Sequence, residues 1–278
     1  MKKLLDKINK FSITGKLAII IILFFVFIAI FTPFVTSFSY QVPSGNSLEA
    51  PSLIHLLGTD DLGIDIWAQI CYGARISLTI GIGTALLAGI GGSLIGILAG
   101  YFGGIVDKLL MRLTDMMIII PELPVMIVLA AFFGSSLINI IIVLSLFSWT
   151  MPARIIRSQV LHLKEENYIK ATKSYGAGFL YITYKHFFPH LLPLIMVNII
   201  RIVNRAIIAE ASLAFLGLGD PTSKSWGIML YYAMNFSGIY FTEFWKWWII
   251  SPLFAILVLV VAVAFVGRDL EKIVDSKI

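Results

Sequence analysis

The chain has 278 residues, of which 59% are hydrophobic and only 13% are charged, and its net charge is +5. Soluble domains carry about 25% charged residues, so the composition excludes an ordinary water-soluble fold, and unbroken rather than alternating apolar runs exclude an outer-membrane barrel. We therefore expect an all-α, polytopic membrane protein with about six transmembrane helices, surrounded by lipid, whose positive charge reflects its loops rather than a nucleic-acid partner.

The first apolar run covers residues 17–35 and follows a lysine-rich tail. A secretory signal peptide begins in the same way, but this run ends Ala29-Ile30-Phe31-Thr32-Pro33 without a small-residue cleavage pattern. We therefore expect residues 1–50 to form a cytoplasmic tail and a retained first transmembrane helix.

Five later apolar runs complete the predicted set of spans. They cover residues 76–101, 113–133, 137–151, 191–213 and 247–266. Most lysines and arginines fall in segments that share a side with the amino terminus, which predicts that this side is cytoplasmic. Residues 51–75 are then an extracellular loop, residues 76–270 form the core transmembrane domain, and residues 271–278 are a cytoplasmic tail.

Small residues recur every four positions in and just after the second span, at Gly92, Gly96, Gly100 and Gly104. Such a stripe lets another helix approach closely, so it predicts helix packing. A phosphate-binding loop requires GxxxxGK[ST], and the Gly15-Lys16 pair lacks both the earlier glycine and the following hydroxyl residue. No ATP site is therefore predicted in this chain.

A long basic segment, residues 154–190, separates the fourth apolar run from the fifth. It contains Tyr168-Ile169-Lys170-Ala171-Thr172, then Gly176, and after nine further residues His186-Phe187-Phe188-Pro189. This spacing resembles the EAA loop of ABC importer permeases, in which E-A-A, three residues, glycine and nine residues precede I-x-L-P. Lys170 stands in place of the glutamate, and Thr172 in place of the second alanine.

Other segments resemble the dipeptide, oligopeptide and nickel branch of these permeases. They are His55-Leu56-Leu57-Gly58-Thr59-Asp60-Asp61-Leu62-Gly63-Ile64-Asp65, Tyr72-Gly73-Ala74-Arg75-Ile76-Ser77-Leu78, Gly100-Tyr101-Phe102-Gly103-Gly104 and Glu210-Ala211-Ser212-Leu213-Ala214-Phe215-Leu216-Gly217-Leu218-Gly219. The resemblance covers residues 53–275 and is to the second, C-type permease of a heterodimeric pair. The chain departs from the family pattern at Ile64, where arginine is usual, and at residues 264–269.

The resemblance implies a type I ABC importer permease fold and a set of partners. The expected partners are a homologous second permease, two ABC ATPase subunits that bind ATP and magnesium, and an extracellular substrate-binding protein. The chain itself is expected to be non-enzymatic, to hold no cofactor and to lie in a bacterial cytoplasmic membrane.

In this family the EAA loop forms a short coupling helix that sits in a groove of the ATPase. The residues that the resemblance assigns to this contact are Glu166, Lys170, Ala171, Thr172, Gly176, Phe179 and Pro189. Acidic residues at 165–166 suit the positive end of a helix, and glycine suits its other end because glycine readily adopts the left-handed conformation. The alternative is a merely solvated basic loop.

The predicted fifth span carries a polar stripe at Asn198, Arg201 and Arg205, which lie on one helix face. Arginine near the bilayer centre costs about 2.5 to 3.5 kcal/mol, so both arginines are expected to face protein or a water-filled cavity. The stripe either lines the substrate path and meets an anionic group, or pairs with acidic residues of this chain or its partner. Glu210, farther along the span, is also assigned to the substrate path, where it is expected to serve in a gate or in packing.

Two further groups of polar residues have open roles. The external group consists of Asp60, Asp61, Asp65 and Arg75. It is expected either to contact the binding protein or to stabilise the external loop. His186 and His190 have a metal-ligand spacing, but the proline between them disfavours a regular helix, and no metal site is predicted.

These features predict the transmembrane permease subunit of an ATP-driven importer that moves di- or oligopeptides by alternating access. A nickel or metal-chelate importer with the same machinery is the alternative, although two arginines would repel a bare divalent cation. A self-sufficient secondary transporter or channel fits less well. The acids within the predicted spans, Asp115, Glu122 and Glu210, lie mostly near span ends, and no inverted repeat is evident.

Overall fold

The computed structural model describes residues 11–275, apart from the side chain of Asp275. This range is helical, with one isolated β-bridge between Thr59 and Asp65. The α-helices are α1 (Ile13–Val35), α2 (Ile66–Phe102), α3 (Gly104–Ile119), α4 (Glu122–Phe133), α5 (Leu137–Ser148), α6 (Thr150–Lys164), α7 (Asn167–Ser174), α8 (Phe179–Ile182), α9 (Phe188–Leu213), α10 (Trp226–Asn235), α11 (Trp245–Trp248) and α12 (Ile250–Asp275). Two π-helical turns, Thr183–Phe187 and Ala214–Leu218, flank α9, and a 3-10 turn covers Ile239–Phe241.

Four continuous helical segments of the described chain are long and apolar enough to cross a membrane. They cover Ile13–Val35, Ile66–Phe102, Phe179–Leu218 and Trp245–Val274. Two further crossings are bent helix pairs, α3 with α4 and α5 with α6. The predicted six-span, all-α architecture is confirmed when each bent pair is counted as one crossing.

The third predicted span, residues 113–133, is not one straight helix. α3 and α4 meet at an angle of 87° across Ile120 and Pro121. Proline lacks an amide hydrogen and forces the preceding residue out of the helical region, and Ile120 accordingly has ψ 126°. The fourth span also bends, by 41° between α5 and α6, where Pro152 lies in the first turn of α6.

The second span begins at Ile66, well before the predicted start at residue 76. Asp65 caps the helix, because its carboxylate accepts a hydrogen bond from the Ala68 amide at 2.7 Å. Gln69 in the first turn donates to Asp60 at 2.7 Å, so polar residues here serve the fold although they interrupt the apolar pattern. The predicted external loop of residues 51–75 therefore ends at Asp65.

The glycine stripe of α2 packs against α6. A Cβ on Gly92, Gly96 or Gly100 would lie 2.3 Å from the Trp149 carbonyl oxygen, 2.5 Å from the Ala153 carbonyl oxygen and 2.7 Å from Val160 Cγ1, respectively. Real Cβ atoms do not approach so closely, so the two backbones meet only because these positions are glycine. The predicted role in helix packing is confirmed for these three residues, whereas Gly104 has φ +55° and begins α3.

A short helix that the sequence analysis did not assign, α10, fills the bundle beside α2 and α9. Trp226 in its first turn is fully buried, and its indole Nε1 donates to the Ile70 carbonyl oxygen at 3.0 Å. Gly227 lies against α9, where a Cβ would be 2.7 Å from the Ala211 carbonyl oxygen. α10 is therefore part of the protein core.

Both ends of the described chain lie at the same end of the bundle. The Ser12 amide and hydroxyl donate to Asp269 Oδ2 at 2.9 and 2.5 Å, which joins the start of α1 to the last turns of α12. Gly15 leaves room for this carboxylate, because a Cβ there would lie 2.1 Å from Asp269 Oδ2. Of the predicted tails, residues 1–10 and 276–278 lie outside the described residues, while residues 271–275 continue α12.

Candidate functional site: the coupling segment and a polar cleft

The coupling segment is shorter than the predicted loop of residues 154–190. α6 continues to Lys164, and the fifth span begins at Phe179 rather than at residue 191. Only residues 165–178 remain between them, and α7 occupies most of this stretch. Residues 154–164 are helical despite their basic charge because their buried face, including Ile156 and Val160, packs together with Ile97 of α2.

An ion pair stands at the start of α7. Glu166 is the N-cap residue, in an extended conformation with φ −63° and ψ 137°. The preceding Glu165 pairs with Lys170 at 2.8 Å, and both side chains are exposed. The hydrogen bond from Lys170 and its positive charge lower the pKa of the Glu165 carboxyl. Lys170, which replaces the usual glutamate, therefore has an acidic partner within the coupling segment itself.

The end of α7 depends on Gly176, which has φ +84°. Its amide donates to the Lys173 carbonyl at 3.0 Å, and the Ala177 amide donates to the Thr172 carbonyl at 3.3 Å. Beyond its chain neighbours, no atom of the described residues lies within 4 Å of a Cβ placed on Gly176. The backbone conformation alone therefore favours glycine, as the sequence predicts.

The coupling segment is anchored on the end of α2. Ile169 of α7 is buried, and Lys164 Nζ donates to the Tyr101 carbonyl at 2.8 Å. The Phe179 ring lies 4.8 Å from the Tyr101 ring and 5.1 Å from the Phe102 ring, measured between centroids. Phe179 therefore packs inward, whereas the sequence analysis expected it on the contact surface. The large exposed side chains of this region are Tyr168, Tyr175, Leu180, Tyr181, Tyr184 and Phe188.

The remaining residues predicted to contact the ATPase lie on or near the surface of the same region. Ala171 is exposed, and the half-buried Thr172 donates from its hydroxyl to the Tyr168 carbonyl at 2.7 Å. Pro189 is exposed in the first turn of α9, directly after the π-helical turn Thr183–Phe187. These residues therefore lie together on one region of the described surface, and their contact with an ATPase stays a prediction.

The side chain of His190 is hydrogen-bonded to the backbone of His186, the other histidine of this region. His190 Nδ1 donates to the His186 carbonyl at 2.7 Å, and the Tyr168 ring lies beside both imidazoles. Within residues 11–275, no group of three or more histidine, cysteine, aspartate or glutamate side chains is arranged to hold a metal ion.

Two ion pairs that the sequence analysis did not identify tie α6 to α3. Arg157 contacts both carboxylate oxygens of Asp107, with Nη2 at 2.6 Å from Oδ2, and Arg154 pairs with Asp115. The opposite charges on these two helices are the only sequence signal for the pairs, and that signal does not specify which residues meet. α6 leads directly into the coupling segment, so these pairs connect that segment with the third span.

Both arginines of the polar stripe have acidic partners within the chain. Arg205 pairs with Glu122 at the start of α4, and Arg201 Nε donates to Glu271 Oε1 at 2.6 Å. The two arginine side chains nevertheless remain about half exposed. Pairing with acidic residues of this chain, one of the two alternatives for the stripe, is therefore observed, and contact with a substrate stays a prediction.

The stripe lines two adjoining clefts that share Arg201 and Arg205. The larger cleft, of about 400 Å³, is also lined by Glu122, Leu123, Asn204, Ile208, Ala209 and Ser212. The smaller, of about 170 Å³, is also lined by Ser148, Met151, Pro152, Ile155, Asn198 and Ile202. Charged and amide groups thus face an accessible space within the helix bundle.

Arg201 lies near the middle of the helical segment Phe179–Leu218, as the sequence predicts for the fifth span. Its partner Glu271 comes two residues after Asp269, which accepts hydrogen bonds from Ser12 at the start of α1. The neighbouring Ile200 lies 3.4 Å from the Cβ position of Gly267. The middle of the 40-residue fifth span is therefore level with the last turns of α12, because this segment, about 60 Å long, extends well beyond the start of α1.

Glu210 is buried between three helices. It is 2% exposed, and the hydroxyls of Ser77 on α2 and Ser225 at the start of α10 lie within hydrogen-bonding reach of its carboxyl group. Its Oε2 atom has no hydrogen-bond partner among the described residues. This position agrees with the packing role among the two roles expected for Glu210.

The external acids stabilise the loop that precedes α2. Asp65 accepts a hydrogen bond from His55 Nδ1 at 2.8 Å, and Asp60 accepts from the amides of Leu62 and Ile64, both at 2.9 Å. Asp60 and Asp65 are buried, which supports the structural alternative for both. Asp61 is half-buried, and its pKa is raised by burial and by the charge of Asp60.

Known proteins resemble this chain in sequence over nearly its whole length. Residues 92–278 match the family described as the inner membrane component of binding-protein-dependent transport systems. The chain is 36% identical to the dipeptide transport system permease protein of Alkalihalophilus pseudofirmus, over 98% of this chain and 87% of that protein. It is 34% identical to the oligopeptide transport system permease protein of Bacillus subtilis, over 97% of this chain and 87% of the relative. The corresponding dipeptide permease of Bacillus subtilis is 35% identical over 98% of this chain and 83% of that protein.

These matches identify the family of the chain. The predicted ABC importer permease fold is confirmed, and the self-sufficient secondary transporter or channel is excluded because permeases of this family are driven by a separate ATPase chain. The multi-pass helices place the chain in the bacterial cytoplasmic membrane. The chain therefore belongs to the inner membrane components of binding-protein-dependent transport systems, the non-catalytic permease subunits of ABC importers.

Proposed function

We propose that this permease imports di- or oligopeptides by alternating access, as the C-type subunit of a heterodimeric pair. The observation that carries the proposal is near-full-length similarity, at 34–36% identity, to relatives named as dipeptide and oligopeptide permeases. The polar clefts support it, because their charged and amide groups match the groups of a peptide main chain.

The complete transporter comprises this chain, a homologous second permease, two ABC ATPase subunits and an extracellular substrate-binding protein. ATP and magnesium bind to the ATPase subunits, and this chain holds no cofactor. Both termini and the coupling segment face the cytoplasm. The contact between Ser12 and Asp269 supports a common side for the termini, and the positive-inside rule supports the cytoplasm as that side.

The coupling segment, residues 165–178, receives the movement of the ATPase. α7 contacts an ATPase groove through its exposed side, which includes Lys170, Ala171 and Tyr175. Movement of α7 reaches the membrane through α6. The glycines of α2 pack directly against the backbone of α6, so we expect the two helices to move together. Closure of the ATPase pair thus changes the opening of the helix bundle.

The test is uptake by the reconstituted transporter. The complete complex in proteoliposomes, supplied with its binding protein, is expected to accumulate labelled di- or oligopeptides only when ATP is present on the ATPase side. Labelled nickel, alone and as an anionic chelate, serves as the competing substrate in parallel vesicles. ATP-dependent uptake of nickel species without uptake of any peptide would overturn the proposed substrate class.

A further inference from the structure

The larger cleft carries one acidic and two basic side chains. Glu122 stands in the first turn of α4, directly after the bend at Pro121, and pairs across the cleft with Arg205 of α9. Arg201 lies one helical turn away from Arg205 and pairs with Glu271. The cleft volume of about 400 Å³ falls within the range of about 300 to 1,000 Å³ that small-molecule sites occupy.

Two buried side-chain amide atoms of α9 lack hydrogen-bond partners among the described residues. Asn198 is 3% exposed, and its donor Nδ2 has no hydrogen-bond partner among the described residues. The same holds for the acceptor Oδ1 of Asn204. Asn204 lines the larger cleft, and Asn198 lines the smaller cleft that adjoins it. Buried polar atoms are nearly always hydrogen-bonded, so one unused donor and one unused acceptor beside these adjoining clefts match a ligand that offers both a carbonyl and an N–H group.

We propose that this cleft is a transient binding site for a zwitterionic peptide, whose free amino group is held by Glu122 and whose free carboxylate is held by Arg205. Asn204, which lines the same cleft, and Asn198, which lines the adjoining smaller cleft, hydrogen-bond the peptide amides. This inference rests on the proposed function and deepens it, because it names the groups of the substrate that the permease itself recognises.

The resting ion pair makes such binding possible within a membrane protein. A single unpaired charge in a low-dielectric interior is costly, and Glu122 and Arg205 satisfy each other when the cleft is empty. A zwitterion offers an opposite charge to each partner, so the pair can open without leaving either charge alone. A bare divalent cation would engage Glu122 and leave Arg205 unpaired.

Opening of the pair also has a mechanical consequence. Glu122 is attached to the bend between α3 and α4, and α3 is joined to α6 by the ion pair of Asp107 and Arg157. Occupation of the cleft therefore releases α4 from α9 at a point that is connected to the coupling segment.

The experiment uses the complete complex in proteoliposomes and one peptide in three forms, with free ends, with an acetylated amino end and with an amidated carboxyl end. In Glu122→Gln, the ratio of uptake of the free peptide to the acetylated peptide is expected to fall about tenfold relative to the unaltered complex. In Arg205→Gln, the corresponding ratio of the free to the amidated peptide is expected to fall by a similar factor. The same binding protein delivers the peptides to each variant, so its own preference cancels when these ratios are compared.

The matched control is Glu243→Gln, which removes an ion pair with Lys246 outside the cleft and is expected to leave both ratios unchanged. Unchanged ratios in Glu122→Gln and Arg205→Gln, with peptide uptake intact, would overturn the inference and leave peptide import standing. Absence of uptake of every peptide by the unaltered complex would instead overturn the proposed function.

A second measurement does not require the charge variants to assemble. Ser212→Cys introduces a thiol at the cleft, and the native Cys71 is buried. The free peptide is added from the cytoplasmic side at saturating concentration, and we expect it to slow modification of this thiol by a charged reagent at least fivefold. The doubly blocked peptide is expected to slow the modification less than twofold. These thresholds are of the order that one or two charge-assisted hydrogen bonds provide. Equal protection by both peptides, or no protection by either, would contradict recognition of the charged ends.

Discussion

Gly96 of α2 lies against the carbonyl oxygen of Ala153 in α6, so closely that a Cβ on Gly96 would be 2.5 Å from that oxygen. One turn before and one turn after it, a Cβ on Gly92 or Gly100 would lie 2.3 Å from the Trp149 carbonyl oxygen or 2.7 Å from Val160 Cγ1, respectively. α6 leads into the coupling segment, so this contact joins the segment that we propose to face the ATPase to α2 of the membrane domain.

Gly96→Ala is expected to destabilise the protein by about 1 to 3 kcal/mol, because the new methyl group overlaps with backbone that cannot move independently. The measurement is denaturant unfolding of the detergent-solubilised complex. Gly91→Ala is the matched control on the same helix, since nothing in the described chain lies within 4 Å of its Cβ position. Equal stability of the two variants would contradict the close packing.

Gly176→Ala is expected to loosen the end of α7, because alanine in the left-handed conformation costs about 1 to 2 kcal/mol. Amide hydrogen exchange in residues 167–174 should become about tenfold faster, and ATP-dependent uptake should fall. Gly178→Ala is the control, since Gly178 has φ −79° and open space at its Cβ position. If exchange increased equally in both variants, the left-handed turn would not be what ends α7.

The pKa of Glu165 is expected to rise toward its ordinary value of 4.5 in Lys170→Gln, because the hydrogen bond and charge of Lys170 lower it. A lowered pKa in the folded state means that the pair stabilises α7 above pH 4.5 and that this contribution is lost as the pH falls through the folded-state pKa. Carbon NMR titration of the labelled carboxyl measures the change. Lys173→Gln should leave the titration unaltered, and a shift of the same size there would contradict the assignment to Lys170.

The Asp107 and Arg157 pair is expected to show a coupling free energy of about 1 to 2 kcal/mol in a double-mutant cycle of Asp107→Asn and Arg157→Gln. The measurement is again denaturant unfolding of the solubilised complex. The more exposed pair of Asp115 and Arg154 provides the comparison, with an expected coupling of about 0.5 kcal/mol because solvent screens its charges. A larger coupling for the exposed pair would contradict this ranking.

Features that depend on short stretches of the chain were predictable. The glycine stripe, the left-handed Gly176 and the existence of six apolar segments follow from residue type and spacing within one helix or one turn. Helix ends were less predictable, because an apolar run marks only the part of a helix that lies in lipid. Polar turns that pack against other parts of the protein extend the helix beyond that run. Thus α2 begins at the capping residue Asp65, and α6 and the fifth span extend far into the basic segment between them.

For the polar groups too, the sequence predicted the position on a helix but not the interaction partner. The sequence placed Asn198, Arg201 and Arg205 on one face, but their partners Glu122 and Glu271 lie 83 and 70 residues away from Arg205 and Arg201, respectively. Only the bend at Pro121 and the overlap of α9 with α12 bring these charges together. Phe179 likewise reads as an exposed apolar residue in a polar loop until the end of α2 supplies Tyr101 and Phe102 as its neighbours.

By itself, the sequence determined the class of the protein, its permease family and the position of the coupling motif, because apolar runs and motif spacing are properties of the chain read in order. The tertiary structure alone decided the level of the arginines relative to α12, the acids that they meet and the amide side chains that line the two clefts. These features depend on the relative heights and angles of helices that are distant in sequence, which no local pattern specifies.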